Sequence, residues 1–110
     1  MTEFLYLYRG GERPPTPAGA QQEMQRWMDW MKVLGEKGNL KTAGNPLERT
    51  GKVVSGKSKS VTDGPFAEKD MVGGYTVVEA NDIMHAAELA KGCPIFDAGG
   101  HVEVRPVLKM

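Results

Sequence analysis

In 110 residues the chain has one cysteine, two histidines and two tryptophans, and its fourteen lysines and arginines balance its fourteen aspartates and glutamates. Each shortage excludes something. A lone Cys93 cannot form an intramolecular disulfide and supplies no zinc-finger spacing, which fits a reducing, cytoplasmic setting. His85 and His101 lack a third ligand at helical or turn spacing, so neither a metal nor a cofactor is expected. No Lys/Arg cluster could track a nucleic-acid backbone, and direct nucleic-acid binding is not expected. The opening "MTEFLYLYRGG" reaches five consecutive apolar residues, too few for a signal h-region or a membrane span. "SGKSKS" (Ser55 to Ser60) resembles a phosphate loop only superficially, because it falls in an expected hairpin with no following helix to supply a dipole.

What is present is punctuated. Glycine and proline total 21 residues (14 and 7), without repeats or low-complexity tracts, and residues 1–110 read as a single domain with one core. "EFLYLY" (Glu3 to Tyr8) is an expected strand, apolar on both faces: Phe4, Tyr6 and Tyr8 on one, Leu5 and Leu7 on the other. "RGGERPPTPAG" reads as a loop. "AQQEMQRWMDWMKVLGEKG" reads as an amphipathic helix striped by Met24, Trp27, Met28, Met31 and Leu34, ending at Gly35 and Gly38. Trp30 at the stripe's edge widens the apolar arc, which points to a second contact surface beyond the domain's own sheet.

Short strands are expected at Asn39 to Thr42, Lys52 to Ser55 and Ser58 to Thr62, and a stronger one in "GGYTVVEA". Asn81 is the expected cap of a second helix, "DIMHAAELAK", burying Ile83, Ala86, Ala87 and Ala90. "HVEVRPVL" is a last strand, with Val102, Val104 and Leu108 on one face and His101, Glu103 and Arg105 on the other. This order predicts an α+β fold, a ferredoxin-like βαββαβ-type sheet with two helices on one face. The uncovered apolar face predicts a homodimer closing two sheets together.

"MQRWMDWM", "GKVVSG", "VTDGPFAEKDMVGGY", "AKGCPIF" and "GGHVEVRPV" resemble, in order and spacing, the DGPF branch of the YCII-related family. The resemblance runs from Phe4 to Leu108. It implies closure as a dimeric α/β barrel, and a bacterial protein of undefined activity. Some similar proteins are encoded beside or fused to extracytoplasmic-function sigma factors, so a sigma-factor association is implied as well. A few members of the wider superfamily are lyases or isomerases using a His and Asp pair. His85 and His101 fall where the DGPF motifs specify nothing, so the resemblance lends neither a catalytic role.

For the chemistry, two readings stay open. In one the domain is an accessory module for a small ligand or a protein partner; in the other it is a cofactor-independent lyase or isomerase for a small acidic or phenolic compound. The second reading needs Asp63 and Glu103 as catalytic carboxylates, and Arg105, Tyr75 and Tyr6 as ligand-binding groups. Each residue also has a structural reading. Asp63 before Gly64 and Pro65 can close a turn, Glu103 and Arg105 can pair to fix dimer register, and the tyrosines can be core. Gly73 and Gly74 inside a strand indicate a bulge or a close backbone approach.

Overall fold

A computed structural model describes residues 1–63 and 71–110. Its elements are β1 (Thr2–Arg9), α1 (Pro17–Glu36), β2 (Leu40–Thr42), β3 (Val53–Ser55), β4 (Ser60–Thr62), β5 (Val72–Ala80), α2 (Ile83–Ala90), a 3-10 turn (Pro94–Ala98) and β6 (His101–Pro106). β2, β5, β1 and β6 lie side by side in that order, each pair antiparallel, while β3 and β4 pair apart from them as a hairpin. α1 joins β1 to β2 with β5 between them, and α2 joins β5 to β6 with β1 between them. This is the split βαβ arrangement the element order predicts.

β1 decides which face goes inside. Phe4, Tyr6 and Tyr8 are buried, and Leu5 and Leu7 are only half-buried. Tyr6 shows why: its ring stacks on Trp30 of α1, and its hydroxyl donates to the Ala86 carbonyl of α2. One strand face therefore receives both helices. Gly74, Thr76, Val78 and Ala80 of β5 and Val102 and Val104 of β6 turn to the same side. The opposite face carries Leu5, Leu7, Tyr75, Val77, Glu103 and Arg105 and has no covering layer among the described residues.

α1 begins earlier than its polar sequence suggests. Thr16 is its cap, with Oγ1 accepting from Gly19 N at 3.0 Å, and Pro17 takes the first turn, where a missing N–H costs nothing. α2 is capped by Asp82, not Asn81: Asp82 Oδ1 accepts from His85 N at 2.8 Å, while Asn81 N donates to His85 Nδ1. Ala86 and Ala90 are buried as expected, but Ala87 is only half-buried and Ile83 is 47% exposed. Leu108 lies beyond β6 and is 82% exposed, so it takes no part in the face assigned to it.

The two glycines in β5 serve both purposes that their sequence position allowed. Tyr8 pairs with Gly74 and Arg9 with Val72, so Gly73 is an extra residue, a bulge. Gly74 then lets another backbone in: a Cβ there would lie 3.0 Å from Asn45 O. Pro46 bridges to Gly74 in strand fashion, and Leu47 N donates to Gly73 O at 2.8 Å. The segment Ala43 to Leu47 is thereby fixed along the β5 edge.

Candidate functional site

The helical stripe does not bury evenly. Trp30 and Leu34 reach the core, whereas Met24 and Met28 are 57% and 59% exposed. Met24, Trp27, Met28 and Met31 face a cleft of about 1130 Å³ on the helix side of the sheet, while Trp30, which widens the apolar arc, packs into the core instead. Tyr8, Thr76, Gly73 and Gly74 contribute from the strands, Met24, Trp27, Met28 and Met31 from α1, and Ala43 to Leu47 from the edge segment. Gly10 to Arg13, Ile95 and Ala98 lie at its border.

Local chemistry explains the shape. The bulge at Gly73 and the bare Cα of Gly74 remove side chains from the surface that α1 overlies. Methionine and tryptophan then supply polarizable apolar surface. Trp27 stands edge-on to Tyr8 with ring centroids 4.7 Å apart, which fixes the orientation of the Tyr8 ring. Tyr8 Oη and Thr76 Oγ1 are 2.6 Å apart, and Thr76 Oγ1 donates to the Ala43 carbonyl at 2.9 Å. Burial raises the pKa of Tyr8, so the phenol is neutral through the physiological range. The border carries Glu12, Glu23 and Glu36 against Arg13, Lys32 and Arg49, a balance that favours ligands of neither charge.

The expected site residues fall in three places. Tyr6 is fully buried, its hydroxyl is committed to Ala86, and burial pushes its pKa up to about 12; it is a core group with no path to a ligand. Asp63 ends the β3–β4 hairpin, is exposed and pairs with Lys52, while the turn expected at Gly64 to Phe66 falls outside the described residues. Tyr75, Glu103 and Arg105 share the uncovered sheet face, where Leu7 separates Tyr75 from Glu103. Tyr75 also borders the cleft, and its hydroxyl accepts from Asn45 Nδ2 at 3.3 Å. Asp63 therefore lies apart from the paired Glu103 and Arg105, and none of the three lines the cleft.

Glu103 accepts from Arg9 Nε at 2.9 Å and from Arg105 Nη1 at 3.2 Å. The Arg105 and then the Arg9 hydrogen bond hold its carboxyl below the usual range, which suits an ion pair and makes it a weak base. Cys93 is buried, with its thiol pushed up to about 12 by desolvation, so it is no nucleophile. No group of three or more His, Cys, Asp and Glu side chains able to hold a metal occurs among the described residues. The residues that do line the cleft include Thr76, which sequence reasoning passed over. Its only signal was a hydroxyl among the inward positions of an otherwise apolar strand.

The antiparallel sheet of split βαβ order, with two helices on one face and an apolar cleft under the first, defines a small ferredoxin-like α+β domain. Within that class the chain belongs to the YCII-related domain family, whose description matches residues 5–110. No curated protein matches it. Among solved structures it is similar to 5-chloro-2-hydroxyhydroquinone dehydrochlorinase from Burkholderia phenoliruptrix AC1100, determined in complex with 2,5-dihydroxybenzoquinone. The identity is 19%, with 98% of this chain and 95% of the other covered at a TM-score of 0.56. At that identity the likeness is one of fold. No described helix is long and apolar enough to cross a membrane.

Proposed function

We propose that this domain binds a small, planar, hydroxylated ring compound in the cleft between α1 and the sheet. The observation that carries this reading is the cleft itself: broad apolar walls from Trp27 and the α1 methionines, and a hydroxyl relay, Tyr8 to Thr76, among its lining residues. A ring can lie against Trp27 and Met28 while a substituent reaches the relay. The structural relative's bound compound, 2,5-dihydroxybenzoquinone, belongs to the same size and shape class.

The lyase or isomerase alternative gains from that relative being an enzyme, and loses from the scattering of Asp63 and Glu103. Binding is the function the described residues support directly. In the same reading the chain falls in the DGPF branch, and the uncovered sheet face, with Leu5, Leu7 and Val77 half-exposed, closes on a second copy to make the dimeric barrel.

Titrating the protein with hydroquinone while recording amide NMR shifts and tryptophan emission tests the site. Saturable shifts at Gly73, Gly74 and Thr76, with quenching lost in Trp27→Phe, are expected. Shifts confined to Glu103 and Arg105, or quenching that never saturates, would refute the cleft.

A further inference from the structure

Hydrogen-bond directions decide which end of a ligand the Tyr8 and Thr76 relay can recognise. Thr76 Oγ1 carries one hydrogen and lies 2.9 Å from the Ala43 carbonyl, which can only accept. That hydrogen is committed. The 2.6 Å contact between the two hydroxyls must then be made by the Tyr8 hydrogen. Tyr8 Oη keeps a lone pair and has no hydrogen left to give.

We propose that Tyr8 Oη is a specificity-determining acceptor, so that the cleft selects ring compounds presenting a hydrogen-bond donor there, a neutral phenol or hydroxyl, over those presenting only an ether, carbonyl or carboxylate oxygen. This rests on the cleft being the binding site. The direction of the relay is set by the backbone, since Ala43 precedes Gly44 in the segment anchored to β5. Trp27 against the Tyr8 ring and Trp30 at 6.3 Å, also edge-on, hold the ring in place. A ligand oxygen without a hydrogen would give up its water and meet a lone pair, and a desolvated polar atom without a partner is costly.

Affinities of hydroquinone and of its dimethyl ether, 1,4-dimethoxybenzene, measured by calorimetry on the intact protein, test this. Wild type should favour hydroquinone by about tenfold, the worth of one hydrogen bond. Tyr8→Phe removes the acceptor and should bring the ratio down to near one. Thr76→Val frees the Tyr8 hydrogen and should move the ratio toward the ether, while Thr76→Ser keeps the relay and should preserve the wild-type ratio. Comparing ratios between variants cancels the bulk of the methyl groups and any uniform loss of fit. A ratio unchanged across wild type, Tyr8→Phe and Thr76→Val, with both compounds still binding, overturns the acceptor role and leaves the cleft standing. If neither compound binds any variant, the cleft reading fails and the selectivity falls with it.

Discussion

Gly44 and Gly38 both sit at positive φ, +72° and +76°, yet they face different constraints. A Cβ on Gly38 would meet nothing within 4 Å, so Gly38→Ala should cost only the left-handed penalty, about 1 kcal/mol. A Cβ on Gly44 would lie 1.8 Å from Tyr75 O, and relieving that clash means lifting Ala43 to Leu47 off the β5 edge. Gly44→Ala should therefore cost more than about 2 kcal/mol in urea denaturation and weaken hydroquinone binding, because Ala43 is the last member of the relay. Equal costs for the two variants would contradict the close packing. At this scale the sequence was only partly legible. Alternation correctly put Tyr8 and Tyr6 on one face, but a period of two does not distinguish the tyrosine under Ala86 from the one bordering a cleft. Asp63 and Glu103 looked like a pair because carboxylates are chemically conspicuous, and only topology separates a hairpin end from a sheet face.

β1 carries three apolar positions into the core, and two of them are phenols. Burial pushes Tyr6 up to about 12 and raises Tyr8 as well, while Cys93 beside them is pushed up to about 12. Each is a group whose folded pKa is raised, so its contribution is intact below the unfolded pKa and is lost as pH rises toward the folded one. The unfolded chain releases these protons near pH 9 for the thiol and near pH 10 for the phenols, the native state later. Native protein then binds more protons, and stability falls by about 1.4 kcal/mol per pH unit for each group in that window. Melting temperatures should be level from pH 7 to near 9 and then drop steeply, with Cys93→Ala moving the onset toward pH 10. A level profile to pH 11 would mean that these side chains are wet. The elements themselves were readable where long and periodic, as β1, α1 and β5 were. Misjudged ends trace to short-range chemistry: Thr16 and Pro17 start α1 inside an apparent loop, and Asp82 captures the His85 amide, displacing Asn81 as the cap.

Along its shortest axis the molecule measures 18 Å, enough for one sheet and one layer of helices. Nothing among the described residues covers the second sheet face. Its rows run Val77, Leu5, Arg105 and Tyr75, Leu7, Glu103, an apolar centre edged by the Arg9, Glu103 and Arg105 cluster on one side and by the Glu3 and Lys41 pair on the other. That layout is self-complementary in kind: the centre can meet its own copy, and charges of both signs sit at the margin, where exposed pairs contribute little energy but can fix register. A second copy on this face would account for β1 being apolar on both sides, which a helix on one side alone would not require. Sedimentation at tens of micromolar should give twice the chain mass. Leu7→Glu, which places a carboxylate at the centre of the face, should give monomer that keeps the helical circular dichroism and still binds hydroquinone, because Leu7 does not line the cleft. A wild type that sediments as monomer would remove the partner from the account of β1. A Leu7→Glu monomer that loses binding would instead show that the second copy shapes the cleft.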